Sequence, residues 1–420
     1  MNADLHPPKV SPSGAAPQSS ASPLRDANLL SLALGHFTVD FFSGSLPIVL
    51  AVLTSPLGLT QTQVGLIAFT YSLSTSLAQP LFGLMADSVY APHLALAGAL
   101  WQVTLMGTAG LAGRFEALLG MVAIGGLGSA MYHPSAAGSV PRLSAPPYRG
   151  RAMSVFLLGG NSGFAIGPLV AGWVLNYFGA RGTIILLIGG VLVLPFLAAR
   201  LLRLRYAPPQ IGHPHSEAHS TPIQPANNLL PLAATVLLAL VIIFRSWASM
   251  SLTTYVPQRL VELGESVDFA GSALFMMALA AAVGGFAAGF LADRIGPHKV
   301  IVASLVLATP LVLGLRFVSG TLLLGTMAGI GLCLLASLPL TLLLGQELFP
   351  GRPGVMSGLT LGFTFVAGGV GAAATGAIAE RWGLALVFAW LPVLPLISGL
   401  AALALALING RPATSKQPAR

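Results

Sequence analysis

Apolar residues in this chain come in runs of about twenty, each closed by a short polar or Gly/Pro-containing break. That is the length a helix needs to cross about 30 Å of hydrocarbon. The runs predict helices over residues 27–53, 62–86, 93–111, 115–138, 150–178 and 181–203, then over 229–257, 268–292, 298–316, 321–345, 354–380 and 383–408. One stretch breaks the pattern: Arg200 to Asn228 carries Arg203, Arg205, Glu217, His213, His215 and His219. The expected fold is therefore an all-α membrane protein with 12 transmembrane helices in two pseudo-symmetric six-helix bundles. The bundles span 27–203 and 229–408, joined by a linker over 204–228, with polar tails at 1–26 and 409–420. Strict period-two alternation is absent, which argues against a β-barrel.

Composition sharpens the solvent. Of 420 residues 55% are hydrophobic and 8% charged, and mean hydropathy is +0.83. Soluble domains carry about 25% charge, so lipid must surround most of this chain. The net charge of +8 raises the question of nucleic acid. The bases, however, stand singly between apolar runs, where membrane topology itself puts them. On the side shared by the termini and the linker lie Lys9, Arg25, Arg142, Arg149, Arg151, Arg200, Arg203, Arg205, Arg294, Lys299, Arg352, Arg411, Lys416 and Arg420. The other side has Arg114, Arg181, Arg259, Arg316 and Arg381. This excess is expected to hold both termini in the cytoplasm. The segment from Met1 to Pro23 lacks the apolar core of a signal peptide and reads as a disordered cytoplasmic tail. Cys333 is the single cysteine and excludes an intrachain disulfide.

The two halves repeat. Gly83 to Asp87, after the second run, matches Gly289 to Asp293, after the eighth, at an offset of 206 residues; Met153-Ser154 matches Met356-Ser357 at 203. Paired repeats of six helices point to a transporter whose site lies between them near the membrane midplane. The loop from Gly289 to Lys299 reads G-x-L-A-D-R-x-G-x-x-K, with Asp293, Arg294 and Lys299 as its charges. It resembles the loop signature of the major facilitator superfamily. Its first-half copy keeps Gly83 and Asp87 without the bases and is expected to be the weaker latch. In the fifth run Gly163, Gly167 and Pro168 resemble the G-x-x-x-G-P signature of proton-coupled exporters in that superfamily. Small residues there also allow plain close packing of helices. Glu347 and Arg352 close the tenth run near the cytoplasmic surface, as a gate or loop salt bridge.

Charges inside the runs are the candidate chemistry. Asp40 sits about 20 Å along the first predicted helix at about 1.5 Å per residue, close to mid-membrane. An acid at that depth costs about 2.5 to 3.5 kcal/mol on insertion scales and is a functional candidate by default. His36 precedes it by one turn on the same face. His133, followed by the helix-bending Pro134, offers a third titratable ring, so Asp40, His36 and His133 are the proton-coupling candidates. A metal site is not expected, because no Cys or second acid stands at ligand spacing. Arg245, 205 residues after Asp40, matches its depth in the second half and is expected to face it across the cavity. Arg245, Asn161 and Tyr255 are the substrate-binding candidates.

Several segments together resemble the fosmidomycin resistance protein family of bacterial major facilitator exporters. They are His36 to Asp40, Gly126 to Pro134, Gly159 to Gly163, Gln346 to Arg352 and Val355 to Phe363, and the similarity runs from Leu29 to Trp382. The resemblance implies an inner-membrane drug efflux pump exchanging protons for substrate. Fosmidomycin is a small phosphonate anion, which suits a cavity carrying Arg245. Members often have an acid directly after the His-Pro of the fourth helix and an arginine shortly beyond. This chain has Ser135, and then Ala136, Ala137, Gly138 and Ser139.

Three functions are left to separate. The first is a proton-coupled efflux antiporter for a small drug or anion; the second is an uptake symporter for a small anion or nutrient. The third is a membrane-embedded enzyme or sensor, for which no nucleophile, base and orienting group recur at catalytic spacing. With no nucleotide loop in the chain, transport is expected to use an ion gradient or to run downhill. The expected partners are a small-molecule substrate, protons and the bilayer, with no cofactor, no nucleic acid and a monomeric state.

Overall fold

The structure, a computed structural model, describes residues 26–86, 91–204, 229–348 and 353–409. Asp87, Arg352, the tails and most of the His-bearing linker lie outside the described residues. The helices are α1 (Ala27–Leu57), α2 (Gln61–Leu77), α3 (Gln79–Ala86), α4 (Ala91–Gly107), α5 (Phe115–Leu143), α6 (Arg149–Phe178) and α7 (Thr183–Leu201). In the second half come α8 (Leu229–Glu262), α9 (Val267–Ile295), α10 (Pro297–Gly314), α11 (Gly320–Leu334), α12 (Ser337–Leu348), α13 (Pro353–Trp390) and α14 (Val393–Asn409).

Among the described residues these make twelve crossings, three of them broken, the twelfth between Trp390 and Val393. The second predicted run is split into α2 and α3 at Ala78, and the tenth into α11 and α12 around Leu335 and Ala336. The eleventh and twelfth runs join through a turn at Gly383, whose φ of 80° suits a residue without Cβ. Helix starts follow local chemistry. The Asp26 carboxylate accepts the N–H groups of Asn28 and Leu29 at the head of α1, and Thr60 with Gln63 forms a capping box on α2.

The outside of the molecule is apolar as well as its buried core. Large apolar side chains such as Leu192, Phe286 and Phe317 are more than 70% exposed around the outside. A soluble chain rarely shows so much apolar surface; here it meets acyl chains. Inside, where lipid offers helices no hydrophobic drive to associate, close backbone approach holds them together. Gly159, Gly163 and Gly167 of α6 lie directly against the carbonyls of Ala33, Phe37 and Phe41 on α1, and Gly44 of α1 lies against Phe164. A methyl group at any of these would overlap a backbone oxygen. The signature glycines of the fifth run thus seat α6 on α1.

The halves meet at the end of the molecule away from the termini. Gly172 of α6 packs on Val267 and Gly271 of α9, while Gly65 of α2 packs on Ala372 of α13 and Gly376 on Gln61. The repeat exchanges these two pairs, the second and eleventh crossings for the eighth and fifth. Among the described residues, four hydrogen bonds join the halves at this distal end. The Thr54 hydroxyl is 3.0 Å from Gln258 Oε1, and the Tyr255 hydroxyl donates toward the Gln61 carbonyl at 3.2 Å. Thr62 N–H donates to Glu380 at 3.2 Å, and Val267 N–H to the Asn176 side-chain carbonyl at 3.3 Å. The last two also repeat each other, since each half supplies a side chain that caps a helix start in the other half.

Candidate functional site

Midway along α1, Asp40 is held between two imidazoles. His36 Nε2 lies 3.2 Å from one carboxylate oxygen and His133 Nε2 3.2 Å from the other. His36 comes from one turn earlier on α1, His133 from α5. Each ring is fixed from behind: His36 Nδ1 is 2.9 Å from the Phe156 carbonyl on α6, and His133 Nδ1 is 2.8 Å from the Ser129 carbonyl. A carbonyl only accepts, so both Nδ1 atoms carry hydrogen and both Nε2 atoms are turned to Asp40. Phe156 stacks on His36 at 4.2 Å, and Gly160 leaves room for that ring, which a methyl there would strike. Side-chain exposure rises from 7% at His36 through 19% at Asp40 to 27% at His133, so the site opens on its His133 side.

A second polar cluster adjoins it. One turn beyond Asp40 the Ser43 hydroxyl bonds the Tyr71 hydroxyl of α2 at 2.5 Å. Gln102 of α4 donates to Tyr71 at 3.0 Å and lies 3.3 Å from Ser43. Sequence reasoning missed these residues. The signal was present in Gln102, an amide near the middle of an apolar run, fully buried here. Behind His36, the Tyr132 hydroxyl donates to the Leu32 carbonyl.

The expected confrontation of Asp40 with Arg245 does not occur. Asp40 is engaged by histidines of its own bundle, and among the described residues Arg245 enters no salt bridge. Arg245 is 1% exposed; Nη2 donates to Ser246 at 3.2 Å and Nε has no partner. Leu238 and Val241 precede it by two turns and one on the same face of α8, and that face packs against His298 and Ile301 of α10, Leu344 of α12 and Ala402 of α14. The offset of 205 equates depth along the helices but also equates the face. Arg245 is buried within the second half, and Asp40 is paired within the first.

The remaining candidates scatter. Tyr255 is fully buried, its hydroxyl within reach of Gln61 and Ala372 at the distal seam. Asn161 is exposed on α6, and Gly163, Gly167 and the buried Pro168 belong to helix packing. Gly83 lies in the middle of α3, and Glu347 is exposed near the end of α12. Gly289 lies in the last turns of α9; Asp293, Arg294 and Lys299 are exposed where α9 passes to α10, and Asp293 forms no salt bridge among the described residues. No Cys or second acid joins the two histidines, but His36, Asp40 and His133 bring their ligand atoms within 4.8 Å of one another. The sequence spacing hid this because His133 arrives from another helix.

Two six-helix bundles, sealed at one end and carrying a charged group at mid-depth, define a secondary transporter of the alternating-access kind. A sequence model described as Major Facilitator Superfamily matches residues 32–264 and 238–420. The chain is 33% identical to the uncharacterized MFS-type transporter YfnC of Bacillus subtilis (strain 168), over 89% of this chain and 92% of that protein. It is 31% identical to the Fosmidomycin resistance protein of Escherichia coli (strain K12), over 92% and 95%. Its fold matches the inward-facing, occupied crystal structure of a bacterial homolog of the human lysosomal transporter Spinster, with a TM-score of 0.74 at 18% identity, covering 93% and 98%. The protein belongs to the major facilitator superfamily, among its fosmidomycin-resistance-like transporters.

Proposed function

We propose that this protein is a proton-coupled efflux antiporter for a small drug or a phosphonate-like anion, working as a monomer in the bacterial inner membrane with both termini in the cytoplasm. The observation that carries the reading is the His36–Asp40–His133 triad, a carboxylate between two imidazoles at mid-depth and reachable from one side. Ionisable groups inside a membrane protein cost insertion free energy and mark ion pathways. The excess of bases on the terminal side supports cytoplasmic termini. With that orientation the distal seam is the periplasmic gate, and this conformation faces inward. The name of the E. coli relative supports export and supplies the substrate class.

One observation favours uptake symport as the second reading. With both rings protonated the triad carries one net positive charge; with both neutral it carries one negative. A doubly protonated triad attracts an anion, which favours carrying proton and anion in the same direction. Reconstituted vesicles under an imposed pH gradient separate the readings. Acid on the periplasmic side drives a phosphonate toward that side under antiport and away from it under symport. Transport of the phosphonate indifferent to the gradient removes both.

A further inference from the structure

The triad presents more than a carboxylate that titrates. Both Nδ1 atoms donate to backbone carbonyls, at 2.9 Å for His36 and 2.8 Å for His133, so in the neutral rings both Nε2 lone pairs point at Asp40. Two nitrogen lone pairs facing carboxylate oxygens at 3.2 Å repel unless something positive lies between them. From these convergent lone pairs we infer that the His36–Asp40–His133 triad is a binding site for a divalent transition-metal ion of the Zn2+ and Co2+ class.

The geometry suits such an ion. Ligand bonds of about 2.0 to 2.2 Å near tetrahedral angles set neighbouring ligand atoms about 3.3 Å apart. The two nitrogens each lie 3.2 Å from a different carboxylate oxygen, so the carboxylate meets both by using both its oxygens, and one ligand atom from each residue falls within 4.8 Å of the others. The two rings are nearly perpendicular, with centroids 5.0 Å apart, so they approach a common centre from different directions. The backing is of the kind metal-binding histidines need, because a second-sphere acceptor on Nδ1 fixes tautomer and ring plane. Three protein ligands leave a coordination position open, and the exposed side of His133 gives access to it. Imidazole with one carboxylate selects borderline metals over Mg2+ or Ca2+, which require more oxygens. The inference uses the same triad as the coupling reading: a bound metal excludes the protons and arrests transport.

The test uses tag-free, full-length protein in detergent, titrated with Co2+ and followed by its d–d absorption. One ion per chain is expected, with Asp40→Asn and His133→Gln each weakening binding by about ten-fold or more. A variant with His213→Ala, His215→Ala and His219→Ala in the linker should bind as the parent does. X-ray absorption on the zinc-loaded linker variant, which needs no substitution in the triad, should count two imidazole ligands and one carboxylate. Absence of d–d absorption, its loss in the linker variant, or parent-like binding by both triad variants overturns the inference. The two readings fail separately. Proton-driven transport that requires Asp40, with no metal bound, removes the metal site alone; metal binding with transport intact in Asp40→Asn removes the coupling role alone.

Discussion

His133 on α5 and Asp40 on α1 meet with Nε2 and Oδ1 3.2 Å apart, tying the fourth crossing to the first at mid-depth. That contact turns a lone intramembrane acid into a site with a defined proton partner, and the first prediction follows from it. Asp40→Asn keeps the size and one acceptor but cannot hold the two rings in the charged form. It should lower gradient-driven transport by at least about a hundred-fold, at the low end of what a positioned proton-transfer group contributes. Substrate flux in vesicles checks this, and wild-type flux in the variant would remove Asp40 from the coupling path.

Arg245 gives a prediction with two readouts of opposite sign. A guanidinium at 1% exposure with a single bond to Ser246 is a poorly compensated buried charge. Arg245→Met should raise the thermal midpoint in detergent by roughly 2 to 4 °C. Transport should fall, because a residue that costs stability in this state is expected to find its partner in another state of the cycle. A variant both more stable and fully active would show that Arg245 has no part in transport.

Glycine packing is tested by contrast. A methyl at Gly163 meets the Phe37 carbonyl, whereas nothing lies near one at Gly189. Gly163→Ala should destabilise by about 1 to 3 kcal/mol, the range for overpacking. Gly189→Ala should be neutral or slightly stabilising, since Ala is the better helix former. Thermal unfolding of the two purified variants decides it, and equal midpoints would contradict the packing account.

The cross-half caps predict a change in which face is open. Asn176→Ala removes the acceptor for Val267 N–H and should cost the sealed distal end about 0.5 to 2 kcal/mol. Glu380→Gln keeps an acceptor for Thr62 N–H but removes the charge, so its effect should be smaller. Reactivity of a cysteine placed at the distal seam measures the opening, on a background with Cys333→Ala. Unchanged reactivity in Asn176→Ala would deny the caps a gating role.

Sequence periodicity carried the architecture because membrane helices must be long and apolar, and each of the twelve runs became a crossing. Periodicity alone did not show the breaks at Ala78, around Leu335 and at Leu391, although Pro80, Pro339 and Pro392 mark the points where the helices resume. Asp40 and His36 were legible as a pair because one turn of helix fixes their neighbourhood. His133 could be named but not joined to them, since the contact depends on how α5 rotates against α1. For Arg245 the repeat supplied a position along the helix but not its burial, nor its lack of a salt bridge among the described residues. Asn176, Gln258 and Glu380 are ordinary polar residues near helix ends until the two halves are brought together.

Three α6 glycines seat that helix on α1, and Phe156 of α6 lends its carbonyl to His36, while His133 joins from α5. All three triad side chains, and the backbone that orients them, therefore belong to the same half. Whatever the opposite half communicates to them crosses the seam as altered wetting or altered field, because the triad contains no side chain of that half.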